Sequence, residues 1–330
     1  MPAPQARKPG PRPAVIGTCT LAPFEKPGGN AQRLAEGLAL VDQMAGEARA
    51  AGWPLDIALL PEHFAQGQRD PHEKEAEPLD GPLVAALAAK ARQHRTHVAL
   101  PMLLKDGGRF WNALVMLDRG GKPVGIYRKI HPVLHTDGTL ERGVAPGAAA
   151  PVFDLDVGRV GAQICFDVFF EDGWRALGEA GAELVLFTSA TSGVAGIKAH
   201  AWRHEYYVAA STFRAPSVVV DPLGREVART TGDKEVRVTR VDLDYRVVPW
   251  NSMRDFGAAL AAKYAGRIRQ DWHREEDLCL VTSLDESLPV GEFLRRENLE
   301  THREHLKRNI ACQDAARGGH GTPSRAHYEQ

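Results

Sequence analysis

The sequence predicts an α/β protein in which two mixed sheets pack together and carry helices on their outer sides. From about Ala14 to about Val241, apolar runs of strand length alternate with helix-period segments, an order that builds sheets covered by helices. The second half of this region repeats the order of the first: strand, helix, strand, helix, hairpin. A chain of 330 residues, 43% hydrophobic and 25% charged, is also long and apolar enough for a full core.

The first half begins with the strand AVIGTC. A helix is predicted over Asn30–Ala51, because apolar residues recur there at helical spacing. These residues are Leu34, Leu38, Val41, Met44 and Ala48. The apolar run LDIALLPE is stopped by Pro61, and a second helix is predicted over Gly81–His94. This half is completed by HVALPM, NALVML and VGIYRK, and the pair Gly120 and Gly121 predicts a hairpin between the last two.

The second half follows the same order. Strands are predicted in VFDLDVGRVGAQICF, ELVLFTS and YYVAAS, and helices from about Trp174 to Ala180 and from Lys198 to Glu205. A pair of strands in PSVVVDPLGREVART closes this half. The repeated order is the reason for predicting two sheets rather than one.

Composition divides the chain into four predicted parts: a basic, Pro-rich flexible arm, a main domain, a helical C-terminal extension and a polar, disordered tail. Their bounds are 1–13, 14–248, 249–310 and 311–330, in that order. The extension is predicted to be helical because helix-period segments, Phe256–Arg269 and Pro289–Asn309, replace strands there.

Charge and cysteine usage exclude several classes of protein. Lys and Arg number 41 and Asp and Glu 42, a net charge of −1, so there is no overall attraction to nucleic acid or to an anionic membrane. The charge-free stretch Leu184–Ile197 is too short for a membrane span, and the first residues lack a signal-peptide core. We therefore expect a cytoplasmic protein that binds neither nucleic acid nor membrane. Four cysteines are too few for a disulfide framework.

Three reactive side chains follow apolar strands, where α/β folds usually place their sites. They are Glu62 in LLPEHF, Lys129 in YRKIHP and Cys165 in QICFD. A carboxylate, an ammonium and a thiol together suit acyl transfer from an amide through a thioester. The carboxylate can accept the thiol proton, and the ammonium and the N–H of Phe166 can stabilise the oxyanion. Singly, each residue is better explained as a core cysteine, a polar strand end or an edge charge, and only their joint occurrence favours a site.

With these motifs the sequence resembles the nitrilase, or carbon–nitrogen hydrolase, superfamily, whose catalytic set is Glu, Lys and Cys in that order. The resemblance covers roughly Ala14–Val248 and rests on LDIALLPEHF, YRKIHP with LERGVAPG, and GAQICFDVFFEDGWRALGEAGAELVLFTSA. Weaker matches are FWNALVMLDRGGKPVG and VVVDPLGREV. The family implies a four-layer α-β-β-α sandwich, a homodimer or larger homo-oligomer, a small-molecule amide substrate, and neither a metal nor an organic cofactor.

Carried over residue by residue, the resemblance implies that Cys165 is the nucleophile, Glu62 the general base and Lys129 the oxyanion stabiliser. Glu141, in LERGVAPG, matches a second glutamate that the family keeps near its site. The expected activity is therefore that of a thiol hydrolase of non-peptide carbon–nitrogen bonds.

One departure from the family pattern bears on the substrate. Members that act on carboxylate-bearing substrates often have arginine where this chain has Phe169. Arginine would bind a carboxylate through two hydrogen bonds, which phenylalanine cannot do. We therefore expect an uncharged amide rather than an N-carbamoyl amino acid. Phe64, Phe169 and Trp202 are candidate lining residues of the acyl pocket, although aromatic residues at such positions are more often core residues.

Several alternatives remain open. Two alternatives are enzymes of the same family, a nitrilase and an N-carbamoyl hydrolase. A third is a catalytically silent member that serves as a binding or scaffold protein. Histidines at close spacing also suggest a metal hydrolase. Against it, the proline in HPVLH disfavours the helix that would bring its two histidines together, and HAWRH lacks an evident third ligand. A Cys–His site with His131 or His200 would leave Glu62 and Lys129 without a role. The close histidine pairs are His131 and His135, His200 and His204, and His302 and His305.

Overall fold

The computed structural model describes residues 10–22, 29–66 and 72–318. These residues fall into two compact units, one over Arg12–Leu243 and one from Asp244 onward. The arm predicted over 1–13 lies mostly outside the described residues, and its last residue, Pro13, already belongs to the first strand.

The first half of the larger unit has the predicted order of elements. They are β1 (Pro13–Leu21), α1 (Gly29–Ala50), β2 (Ile57–Leu59), α2 (His72–Glu75), α3 (Pro82–His94), β3 (His97–Asp106), β4 (Arg109–Leu117) and β5 (Pro123–Arg128). Strands β1 to β3 are parallel, and β3 to β5 are antiparallel. The predicted hairpin between β4 and β5 turns at Gly121, whose φ of 77° is left-handed and suits glycine.

The second half also follows the prediction, with short helices between parallel strands. Its elements are β6 (Phe153–Asp154), β7 (Arg159–Ile164), α4 (Asp172–Glu179), β8 (Leu184–Ser189), α5 (Val194–His204), β9 (Tyr207–Thr212), β10 (Val218–Val220), β11 (Glu226–Arg229) and β12 (Lys234–Asp242). Strands β7 to β9 are parallel, and β10 is antiparallel to both β9 and β11. The last strand, β12, returns to pair with β1.

The two halves are joined through hydrogen bonds. Within the described strands the order is β5-β4-β3-β2-β1-β9-β8-β7-β6, part of a twelve-stranded sheet. We predicted two separate sheets, whereas β1 and β9 run parallel and pair at Thr20 and Thr212. Because this pair lies near the C-terminal ends of both strands, the join brings together the ends of strands from the two halves.

Helices cover the sheet from outside, so the predicted α/β class with outer helices is confirmed. Val41 and Leu87, from α1 and α3, pack on the first half, and Trp174, from α4, packs on the second. Each such side chain contributes about 1.5–3 kcal/mol through burial. Ala99 and Leu100, on opposite faces of β3, are both fully buried, so the sheet is covered on both faces.

The smaller unit contains strands that the sequence analysis missed. Its described elements are β13 (Tyr245–Pro249), α6 (Ala258–Lys263), β14 (Ile268–His273), β15 (Leu278–Ser283), α7 (Val290–Arg296) and α8 (His302–Ala316). The prediction of an entirely helical extension was wrong, because β13, β15 and β14 form an antiparallel sheet in that order. The run LCLVTS is buried throughout as the central strand. Its two strand partners, rather than its local pattern, decide its conformation.

The helix predicted over 289–309 is two helices. Asn298, between α7 and α8, has a φ of 52°, which ends a right-handed helix. Thr301 then starts α8 by accepting a hydrogen bond from the Glu304 N–H at 3.2 Å. α8 continues to Ala316, inside the predicted tail, and the tail from 319 onward lies outside the described residues. No helix in the described ranges has both the length and the apolar character needed to cross a bilayer.

Candidate active site

Three strand ends bring the predicted catalytic side chains into one buried cluster. Glu62 follows β2, Lys129 follows β5 and Cys165 follows β7. The Lys129 Nζ lies 3.1 Å from Glu62 Oε1, and the charges of both groups act on the Cys165 thiol. The topology accounts for this meeting, because β2 and β7 both belong to parallel sets whose carboxyl ends come together.

Hydrogen bonds between the two halves hold Glu62 in place. The Ala190 N–H, just past β8, donates to Glu62 Oε2 at 3.0 Å. The Thr188 hydroxyl donates to the Leu60 carbonyl at 3.0 Å. Glu62 is therefore fixed by the half of the sheet that carries Cys165.

Lys129 lies between two buried carboxylates. Its Nζ is 2.8 Å from Glu141 Oε2 in addition to the contact with Glu62. Burial alone lowers the pKa of Lys129, but the charges of Glu62 and Glu141 outweigh this effect and raise it above the ordinary range. Lys129 is therefore a permanent ammonium, which suits a group that stabilises negative charge.

Asn112 completes this part of the cluster, and the sequence analysis did not single it out. Its amide N–H group donates to Glu62 Oε1 at 2.8 Å and to Glu141 Oε1 at 2.5 Å. The available signal was a lone amide inside the buried apolar strand β4, because a buried polar side chain needs partners. Asn112 thus bridges Glu62 and Glu141, the same two carboxylates that Lys129 contacts.

Cys165 occupies a sharp turn at the end of β7. Its φ is 48°, a left-handed value that costs a non-glycine residue about 1–3 kcal/mol and is concentrated at functional sites. Burial, followed by the charge of Glu62, raises the pKa of Cys165 to about 12, while Lys129 and hydrogen bonds with Ser189 and Ala190 act in the opposite direction. The resting side chain is therefore a thiol that needs a base.

The backbone N–H of Phe166, predicted to bind an oxyanion, lies at the start of a short helical turn. Phe166 is the second residue of the 3-10 turn Cys165–Phe169. The first N–H groups of a helical turn have no acceptor within that turn. This geometry suits the role predicted for the Phe166 N–H.

Asp167 anchors the turn that carries Cys165, and the sequence analysis gave it no role. The fully buried carboxylate accepts hydrogen bonds from the Ile164 N–H at 2.9 Å and the Tyr127 hydroxyl at 2.7 Å. It also accepts one from the His131 N–H at 2.9 Å. The residues on both sides of Cys165 are thereby fixed to β5 and to the loop after Lys129.

This anchor makes stability depend on pH through His131. The hydrogen bond to Asp167 is the main cause that raises the pKa of His131, with Asp172 adding to it. A histidine with a raised folded-state pKa stabilises the fold below its unfolded value of about 6.5, and this contribution is lost as pH rises through the folded-state pKa. We expect His131→Gln to reduce the free energy of unfolding more at about pH 5.5 than at about pH 9, as measured by urea unfolding.

The matched control for this experiment is His135→Gln, which changes an exposed histidine in the same loop. Its effect on the free energy of unfolding should be small at both pH values. If His131→Gln cost the same free energy at both pH values, the proton on His131 would not contribute to stability.

The three aromatic candidates for the acyl pocket lie in different surroundings. Phe169 is 76% exposed and contacts the Phe166 ring edge-on at 5.3 Å, so it stands beside the nucleophile turn. Phe64 is fully buried in the core with α1, close to Gly37. Trp202 lies on the outer helix α5. Of the three, only Phe169 belongs to the turn that begins at Cys165, whereas core packing holds Phe64 and the outer helix carries Trp202.

The alternative chemistries fit these residues less well. Glu62, His63 and Glu141 could offer ligand atoms to a metal, but the Lys129 ammonium already contacts both carboxylates. His131 is held by Asp167 and by Asp172, 3.1 and 3.3 Å from its two ring nitrogens. A Cys–His pair through His131 would require breaking those contacts.

Comparisons with known proteins agree on one family. The model of the family described as Carbon-nitrogen hydrolase matches residues 15–249. The deaminated glutathione amidase of Homo sapiens is 30% identical over an alignment 224 residues long, which covers 57% of this chain and 67% of that protein.

Solved structures show the same fold. The carbon-nitrogen hydrolase from Helicobacter pylori G27 matches with a TM-score of 0.60 at 17% identity, over 71% of this chain and 90% of that one. A double mutant of the amidase from Nesterenkonia sp. AN1, in complex with acrylamide, matches with a TM-score of 0.57 at 20% identity, over 69% and 90% of the two chains. At these identities the likeness is one of fold alone.

Proposed function

Because the chain belongs to the carbon–nitrogen hydrolase family, we propose that it hydrolyses a small amide through a thioester on Cys165. The observation that carries this proposal is the buried pair of Glu62 and Lys129, 3.1 Å apart, whose charges act on the Cys165 thiol. Burying charged groups costs several kcal/mol per ion, and the sheet does not need them for packing. Their use in a reaction accounts for that cost.

The first half of the proposed reaction forms the thioester. Glu62 accepts the Sγ proton, and the thiolate sulfur bonds to the amide carbon. The negative charge that develops on the amide oxygen is stabilised by Lys129 and by the Phe166 N–H; each such donor contributes about 3–4 kcal/mol in comparable sites. Glu62 then gives its proton to the nitrogen as the carbon–nitrogen bond breaks, and ammonia or an amine leaves.

The second half of the reaction releases the acid. Glu62 takes a proton from a water molecule, whose oxygen bonds to the thioester carbon. The carbon–sulfur bond breaks and Cys165 recovers a proton, so that the products are a carboxylic acid and the resting thiol. We assign Glu141 a supporting role, because its carboxylate contacts Lys129 and Asn112 and thereby orients both.

The proposed substrate is an amide without a carboxylate at the place that Phe169 faces. Phe169 is exposed next to the nucleophile turn and offers a ring where a positive charge would be needed. The amidase name of the relative from Homo sapiens supports an amide. A homodimer or larger oligomer and a cytoplasmic location stay predictions.

The test is ammonia release from aliphatic amides, aromatic amides, carbamoyl amino acids and nitriles, with Cys165→Ala as the blank. We expect cysteine-dependent release from uncharged amides and weaker release from carbamoyl amino acids. Equal or better turnover of a carbamoyl amino acid than of the matching amide would contradict the assignment of Phe169. Release from nitriles alone would replace the amidase proposal with a nitrilase. If no compound releases ammonia, a matching panel of N-substituted amides is assayed for amine release, and absence of both products would favour the silent scaffold.

A further inference from the structure

A second cluster of reactive side chains lies apart from the catalytic groups, against the outer helix α5. His200 and His204 are one turn apart on α5, and both face Glu171, which immediately precedes α4. His200 Nδ1 lies 3.5 Å from Glu171 Oε2, and His204 Nε2 lies 3.0 Å from Glu171 Oε1. One ligand atom from each residue falls within 4.8 Å of the others. Glu171 is thus the third ligand that HAWRH lacked at the level of sequence.

The hydrogen bonding of His200 determines which of its ring nitrogens faces Glu171. Its Nε2 lies 3.0 Å from the Val168 carbonyl oxygen, which can only accept, so Nε2 carries the proton. In a neutral ring Nδ1 then presents a lone pair toward the Glu171 carboxylate, whose Oε2 lies 3.5 Å away. Two lone pairs that face each other repel, and a cation between them removes that repulsion.

The surroundings of His200 match those of a metal-bound histidine. Such a ring usually donates its other N–H to a backbone carbonyl or a carboxylate, as Nε2 does here. The ring is only 7% exposed and stacks on Trp174 at 4.3 Å, which fixes its orientation. His200 is therefore held in position before any ligand binds.

We propose that Glu171, His200 and His204 bind a divalent transition metal, with Zn²⁺ as the best fit. Two imidazoles and one carboxylate are a common zinc ligand set, with a fourth position left for water. Ligand atoms of a tetrahedral zinc stand roughly 3.3 Å apart for bonds of about 2.05 Å, and one ligand atom from each of the three residues already lies within 4.8 Å of the others. The metal would hold Glu171 directly, and it would hold Val168 through the hydrogen bond from His200. Both residues lie in the segment that begins at Cys165. The role of the metal is to stabilise that segment, without a part in the hydrolytic steps.

Arg203 is the competing cation. Its Nη1 lies 3.4 Å from Glu171 Oε2, and its side chain is half exposed. It can therefore move into solvent when a metal binds. Consequently, Arg203→Gln should bind zinc more tightly than the unaltered protein does.

The test is equilibrium dialysis of the full chain against ZnCl₂ after treatment with a chelator. We expect one zinc ion per chain and a zinc-dependent rise in the unfolding temperature. His204→Gln and Glu171→Gln should each weaken binding by more than the roughly 10–100-fold that loss of an outer-shell partner costs. His200 is left unchanged because its ring packs on Trp174, and two independent ligand variants guard against a folding defect in either.

Two controls separate this cluster from other zinc-binding groups. His305→Gln removes a histidine that also contacts a glutamate, with Nδ1 2.7 Å from Glu300 Oε1, and should leave zinc affinity unchanged. Cys165→Ala should likewise retain the bound ion. The proposal is overturned if the unaltered protein and Glu171→Gln bind zinc equally, if neither binds it, or if binding is lost in Cys165→Ala.

Discussion

Replacing Cys165 by alanine should reduce kcat/KM for an amide substrate by about 10⁴-fold or more, because removal of a nucleophile leaves only binding and oxyanion stabilisation. The change removes one sulfur atom from a turn that Asp167 holds through the Ile164 N–H at 2.9 Å. We therefore expect little change in the free energy of unfolding. Steady-state ammonia release and urea unfolding measure the two quantities on the same preparation.

The matched control is Cys312→Ala, which changes an exposed cysteine on α8. Its turnover should equal that of the unaltered protein, which excludes a general effect of losing a thiol. Substantial amide hydrolysis by Cys165→Ala would show that the sulfur is not the nucleophile and would remove the thioester from the mechanism.

Replacing Lys129 by methionine should impair both stability and turnover. It leaves the buried carboxylates of Glu62 and Glu141 without the ammonium that lies 3.1 and 2.8 Å from them. Removing one partner of a buried ion pair costs about 3–5 kcal/mol. Loss of an oxyanion donor lowers kcat by about 10²–10³-fold. Urea unfolding and steady-state kinetics again measure the two effects.

A second substitution separates these two effects. Adding Glu141→Gln to Lys129→Met removes one of the uncompensated charges, so part of the lost stability should return while turnover stays low. Lys105→Met, at an exposed lysine near the end of β3, is the control for losing a lysine and should change neither quantity. If Lys129→Met were as stable as the unaltered protein, the ion-pair account of this cluster would be wrong.

Most of the larger unit could be predicted because its local patterns agree with its tertiary environment. The helices predicted over 30–51 and 81–94 are present as α1 and α3, since their apolar faces meet the sheet. The smaller unit differs, because β15 is a strand through pairing with partners on both sides. The sequence of a short apolar run does not show which strands will pair with it. The helical periodicity of the neighbouring segments therefore led to the wrong prediction of a helical extension.

Among the candidate site residues, sequence reasoning found those whose chemistry is unusual at a strand end and missed those whose proposed role is to hold other residues in place. Glu62, Lys129 and Cys165 are conspicuous as reactive groups after apolar runs. Asn112 and Asp167 have roles only because of what they touch: the two glutamates in one case, and the turn around the nucleophile in the other. Glu171 likewise gains significance from two histidines on a different element.

The sequence by itself determined the α/β class, the order of elements in the larger unit and the three side chains that meet at its strand ends. Those properties follow from periodicity and from the position of each residue relative to its own strand, which are local quantities. Only the tertiary structure decided the join between β1 and β9, the sheet of the smaller unit and the cluster of Lys129 with two carboxylates. Those properties depend on contacts between residues far apart in the chain. The free energy of such contacts comes from burial and from charge pairing, and neither can be evaluated from one segment of the sequence.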